Sequence, residues 1–160
     1  MMKINGFNNY ELEGSFIYFI FSKDLLYIGE TQKITFSRWV QHFYKSGTFS
    51  KKIKKHGIIG VDYISDVKLL SVELIELREE FPELRWKTLT QAIEHSLHVE
   101  FSRSQTKLIK NYYEKYEPEV NRFNLVSDTS RTCPKSISNN DWKYAENFAK
   151  NIINHLCNFL

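Results

Sequence analysis

The 160 residues carry 22 Lys plus Arg against 19 Asp plus Glu, a formal charge of +3, and are 42% hydrophobic and 15% aromatic. That apolar content argues against intrinsic disorder, six Gly and three Pro exclude a collagen-like or linker-like chain, and no apolar run nears the ~20 residues that span a bilayer. The polar segment Met1 to Gly14 has no secretory pattern, and Cys133 and Cys157 lack metal-ligand spacing, so a cytoplasmic domain with no membrane partner is expected.

Phe16 to Phe21 is an unbroken apolar run, aromatic and β-branched, which suits a strand at Ser15–Ser22 buried on both faces. Lys23-Asp24 is a short polar turn and Leu25–Gly29 a second strand, so the two read as a hairpin. Thr31 or Thr35 is expected to cap the helix that follows. In it Phe36, Trp39, Val40, Phe43 and Tyr44 recur as one apolar face, while Arg38, His42 and Lys45 share a polar edge. Gly47 is the expected stop.

A basic loop at 45–56 comes next. Lys45, Lys51, Lys52, Lys54 and Lys55 are interleaved with Phe49, Ile53 and His56, a composition suited to phosphate neutralisation or simply to solvation. It belongs to an uneven charge pattern. Residues 1–60 hold nine basic and four acidic side chains, residues 61–100 four and nine, and residues 101–160 nine and six.

Val61 to Val72 reads as a third strand, and acidic Glu73 to Leu84 as a short helix or exposed turn. Thr88 and Gln91 pattern as a capping box for a helix reaching about Ser102. Thr106 to Tyr116 is helical in character, Ser127 to Asn140 a loop, and Asp141 to Leu160 an amphipathic helix. The expected fold is α/β of the α+β kind: a small three-stranded mixed or antiparallel sheet flanked by helices. Residues 1–126 form the main domain, and the loop and helix of 127–160 pack on it.

Three segments carry the chemistry. Phe16-Ile17-Tyr18 and Tyr27-Ile28-Gly29 put one tyrosine on each hairpin strand, and Arg38-Trp39-Val40-Gln41-His42 puts Arg and His one turn apart. Glu94-His95-Ser96-Leu97 adds an acid on a later helix, and Pro118-Glu119-Val120-Asn121 a Pro-x-x-Asn. In this order they resemble the GIY-YIG nuclease family, over roughly residues 14–124. The second tripeptide matches in full; the first has Phe16 in the place of glycine, with Gly14 nearby.

The resemblance implies an endonuclease that hydrolyses double-stranded DNA with Mg²⁺ or Mn²⁺, of restriction or selfish-element type. It implies catalytic roles for Tyr18, Tyr27, Arg38, His42 and Glu94, with Glu94 as metal ligand. Lys45, Lys51, Lys52, Lys54, Lys55 and Asn121 are then expected to bind DNA. The chemistry of the side chains is compatible. Arg38 offers a planar fork to phosphate oxygens, a carboxylate suits a hard divalent cation, and a tyrosine needs nearby positive charge to act as a base near neutrality.

Plainer readings stand beside this. Facing tyrosines also serve as cross-strand packing. Glu100 competes with Glu94, and His95 and His98 are three apart but have no third ligand at a sensible spacing. A nucleic-acid-binding module without hydrolysis is the alternative function. Cutting both strands needs two sites, supplied by a homodimer on DNA or by sequential action. The apolar stripe of residues 145–160 either makes that dimer interface or covers the domain's own core.

Overall fold

The computed structural model describes residues 3–5, 13–57, 60, 67–105, 122–128 and 133–159. In chain order it contains β1 (Lys3–Asn5), β2 (Glu13–Ser22), β3 (Leu25–Lys33), α1 (Thr35–Phe43) and α2 (Thr48–Lys55). Then come β4 (Val67–Glu73), α3 (Ile75–Glu80), α4 (Glu83–Arg103), β5 (Asn124–Leu125) and α5 (Asn139–Phe159). The sheet has five strands in the order β1-β4-β2-β3-β5, more than the three expected. The additions are edge pieces: β1 is antiparallel to β4, and two-residue β5 is parallel to β3.

The aromatic run becomes β2, with β3 and β4 paired antiparallel on its two sides. Because side chains alternate across a strand, the run divides between two cores. Ile17, Phe19 and Phe21 face a large cluster with Leu26, Ile28, Leu70 and Val72, closed by α4 and α5. Tyr18 and Ile20 face a smaller cluster with Leu25, Trp39, Phe49 and Ile53, closed by α1 and α2. Burial on both faces is what the unbroken run requires. The Lys23-Asp24 hairpin turn is present, with Lys23 at a positive φ of 51°.

Several local expectations are corrected. The helix α1 begins at Thr35 after Ile34, without a side-chain cap, and the Thr35 hydroxyl instead meets Ser71 Oγ at 2.8 Å. Its buried side is Thr35, Trp39 and His42, whereas Phe36, Val40 and Tyr44 lie on the exposed side. Gly47 does not stop α1; it precedes α2, packed so close that a Cβ would sit 2.3 Å from the Gln41 and His42 carbonyl oxygens. The lysine-rich segment is not a loop over its whole length. Phe49 and Ile53, four apart, are both buried, and their burial, about 1.5–3 kcal/mol each, stabilises α2 with its lysines turned outward.

Helix α4 starts at Glu83 behind Pro82, a turn before the expected capping box. Thr88 lies inside it, its hydroxyl donating to the Leu84 carbonyl at 2.9 Å. The helix α5 lays Ala145, Phe148, Ala149, Ile152, Leu156 and Cys157 into the large core, so the stripe covers the chain's own interior. Residues 61–66 and the helix expected at 106–116 lie outside the described residues. No helix among the described residues is long and apolar enough to cross a membrane.

Candidate functional site

The hairpin register places Tyr18 opposite Gly29 and Ile20 opposite Tyr27, so both tyrosines project from the α1/α2 face. Their rings stack with centroids 6.3 Å apart and planes inclined by 15°. Gly29 makes this possible, because a Cβ there would lie 2.3 Å from Tyr18 Oη. Gly29, two residues after Tyr27, is thus glycine for space. Tyr18 Oη lies 2.7 Å from His42 Nε2, and the His42 ring is 4.6 Å, centroid to centroid, from Tyr27.

His42 is held from both ends of its helix. Thr35 ties the first turn to β4 through Ser71, and Ser50 Oγ donates to the His42 carbonyl at 3.1 Å. Phe49 of α2 meets Tyr27 edge-on at 6.0 Å. Arg38 is exposed on the same helix and donates to Gln41 Oε1 at 3.0 Å, with its charge acting on Tyr18, Tyr27 and His42. Glu94 is only 5% exposed, and its carboxylate bears electrostatically on both tyrosines.

Burial dominates the proton affinities here. It pushes the Tyr18 hydroxyl far above the ordinary tyrosine range, Tyr27 and Glu94 push the same way, and Arg38 opposes them. Tyr27 is pushed up to about 12, by burial first and Glu94 second, again against Arg38. His42 is pushed down to about 4 by burial and by the Arg38 charge. At neutral pH the contact therefore joins a phenol to a neutral imidazole, whose Nδ1 is buried with no hydrogen-bond partner among the described residues.

A stability prediction follows from His42. Its folded pKa lies below the unfolded value of 6.5, so between about pH 6.5 and 4 the unfolded chain binds more protons. Stability contributed by the neutral ring is full above that window and is lost as pH falls through it, on the order of 3 kcal/mol in all. Thermal unfolding of wild type and His42→Gln across pH 4–7 should show a steeper fall for the wild type. Parallel curves would mean His42 titrates normally.

The two candidate acids separate. Glu94 is buried and acts on the tyrosines, whereas Glu100 pairs with Arg103 at 3.7 Å and lines a cavity of about 310 Å³ with Lys150. His95 and His98 do not share a metal: His95 packs against Trp142 at 5.6 Å, and His98 turns to Glu94 and Ser127. Lys51, Lys54 and Lys55 are exposed on α2, Lys52 reaches Asp128 at 3.3 Å, and Lys45 is exposed between α1 and α2. Asn121 and its Pro-x-x-Asn lie outside the described residues.

Two features escape sequence reading. Glu30, directly after Gly29, has its carboxyl pushed up by burial against the Arg38 charge, and its Oε2 is buried without a hydrogen-bond partner among the described residues. Ser127 and Asp128 arrive beside β3 from a segment read as loop; Asp128 pushes the Tyr27 hydroxyl up. Among the described residues no three His, Cys, Asp or Glu side chains gather to cage a metal. A Mg²⁺-like ion does not require that, since it is commonly held by one or two carboxylates while water and substrate phosphate complete its shell. Buried Glu94, whose charge acts on both tyrosines, fits such a ligand. No protein-family model, curated protein or solved structure matches this chain.

Proposed function

We propose that this chain is a divalent-metal-dependent endonuclease that hydrolyses DNA phosphodiester bonds, acting as the GIY-YIG nucleases it resembles. The observation that carries the reading is the 2.7 Å contact between Tyr18 Oη and His42 Nε2, with Tyr27 stacked alongside and the buried Glu94 carboxylate acting electrostatically on both tyrosines. Packing alone explains two stacked tyrosines. It does not explain a buried carboxylate and a buried, half-partnered imidazole gathered around them.

In this reading Tyr18 Oη takes the proton of the attacking water as it hands its own to neutral His42 Nε2 across the short contact, the two transfers being concerted because burial disfavours charge on either ring. Arg38, on the exposed rim, holds the non-bridging phosphate oxygens and favours the phenolate form of both tyrosines. Mg²⁺ or Mn²⁺ at Glu94 would supply positive charge for the phosphate and for the developing oxyanion. Tyr27 orients the phosphate.

The substrate side is basic. Between Glu30 and Asp62 the chain has seven Lys or Arg and no acidic residue, and this stretch includes α1 and α2. Replacing Lys51, Lys52, Lys54 and Lys55 together with Ala should weaken duplex binding at 0.1 M salt by about 10-fold or more and lower the salt slope by two to four units, because each phosphate contact releases counterions. An unchanged slope in a fluorescence titration would leave α2 merely solvated.

Incubation with supercoiled plasmid tests the function itself. Nicking or linearisation in Mg²⁺ or Mn²⁺, absent with a chelator, is the expected result. Salt-dependent binding with no metal-dependent strand breakage would instead establish the non-catalytic nucleic-acid-binding module, and a DNA partner would fall with the absence of binding.

A further inference from the structure

His98 and Ser127 belong to none of the roles above, yet they sit between two of the residues that matter. His98 Nδ1 lies 2.8 Å from the Glu94 carbonyl oxygen one turn earlier on α4. A carbonyl only accepts, so Nδ1 carries the proton and Nε2 is left as an acceptor. Ser127 Oγ is 2.8 Å from that Nε2 and must therefore donate to it. Its lone pairs remain free to accept the Ile28 amide, 2.9 Å away. Direction is fixed at every link, and every donor and acceptor in the series is used.

The placement is as specific as the chemistry. Ile28 lies between Tyr27 and Gly29, and its N–H points to the edge of β3 away from β2. Regular pairing along that edge stops early: β5 is in register only with Leu25 and Leu26, and the Val126 amide donates to the Leu26 carbonyl at 2.9 Å. Ser127 continues the ladder by side chain where the backbone leaves off. His98 is 6% exposed and Ser127 9%, so water from the cavity of about 620 Å³ that both residues line replaces a lost partner only in part. Burial also keeps His98 neutral, in agreement with a ring that donates at one nitrogen and accepts at the other.

We propose that His98 and Ser127 are positioning residues: the chain from Ile28 N–H through Ser127 Oγ and His98 to the Glu94 carbonyl locks the turn of α4 bearing Glu94 to the strand bearing Tyr27. Its catalytic consequence rests on the nuclease reading; the lock itself does not. The same segment carries Asp128, which binds Lys52, so α2 is tied to this bracket as well. A displacement of about 1 Å at such a centre costs up to about 10²-fold in rate.

The test compares wild type, Ser127→Ala, Ser127→Thr and His98→Leu by Ile28 amide hydrogen exchange, duplex affinity, and kcat and KM for plasmid nicking in Mn²⁺. Ser127→Ala should speed Ile28 exchange by 10-fold or more relative to other β3 amides and lower kcat by about 10- to 100-fold, with KM and DNA affinity within about twofold. Ser127→Thr, which keeps the hydroxyl, should restore both, and His98→Leu should resemble Ser127→Ala. Folded Ser127→Ala with wild-type Ile28 exchange overturns the lock. Altered exchange with wild-type kcat overturns the positioning role, as does a Thr variant no better than Ala. A wild type that nicks nothing defeats the nuclease reading and the catalytic consequence together, while Ile28 exchange still decides the lock.

Discussion

Glu94→Gln is expected to lower metal-dependent cleavage by about 10³-fold, the scale of removing a principal electrostatic contact from a reacting centre. The substitution keeps size and shape and removes only the charge. Glu94 is buried and its negative charge raises the proton affinity of both tyrosines, so the variant should bind duplex DNA as tightly as wild type or more tightly. Glu100→Gln is the matched control. Glu100 is on the same helix but six residues on, about 120° around it, and is occupied by Arg103. It should cost at most a few tenths of a kcal/mol and leave cleavage intact. Single-turnover cleavage in Mn²⁺, gel-shift affinity and thermal unfolding of the three proteins decide the matter. Cleavage surviving in Glu94→Gln and lost in folded Glu100→Gln would reverse the assignment.

Tyr18→Phe is the second large effect. The ring is wholly buried and stacked on Tyr27, and phenylalanine preserves that packing while deleting one oxygen. Loss of a proton-transferring group costs about 10²- to 10⁴-fold in rate. The change also strips His42 Nε2 of its partner in a ring whose Nδ1 already has none among the described residues, which should destabilise the fold by about 1–3 kcal/mol. Rate and stability therefore fall together, but in proportions that packing alone cannot give. A folded Tyr18→Phe protein that cleaves at the wild-type rate would return the tyrosine pair to a packing role.

Much of this arrangement is legible in the residues. A six-residue apolar run can only be buried on both faces, and it is; Lys23-Asp24 between two such runs makes the hairpin, which sets Tyr18 and Tyr27 on one face. Helical arithmetic separates Glu94 from Glu100 before any coordinates do. What escapes is whatever depends on neighbours distant in sequence. The capping box at Thr88 has the right letters, but Pro82 starts the helix earlier, and Thr88 turns its hydroxyl to the preceding turn. The apolar residues of α1 were too many for one face, and the sheet takes Trp39 while leaving Phe36 and Tyr44 at 42% and 63% exposure. The basic segment looks like a loop because lysine dominates it, yet two buried side chains four apart are enough for a helix. Strands of two or three residues, β5 and β1, have no periodicity to read. Glu30 is an ordinary acid in the sequence and becomes distinctive only through a buried oxygen that has no hydrogen-bond partner among the described residues.

Water activated at the Tyr18–His42 pair is the centre of this account, and cleavage in ¹⁸O-labelled water tests it most directly. Plasmid or duplex is cut by the wild type in Mn²⁺ under single-turnover conditions, and the terminal phosphates are weighed by mass spectrometry. One solvent oxygen in each new terminal phosphate, with no protein-linked DNA on a denaturing gel, is the predicted result. Cleavage that leaves DNA covalently attached to a tyrosine, with no solvent oxygen in the initial product, would contradict it: Tyr18 or Tyr27 would then be the nucleophile and not the partner of a water.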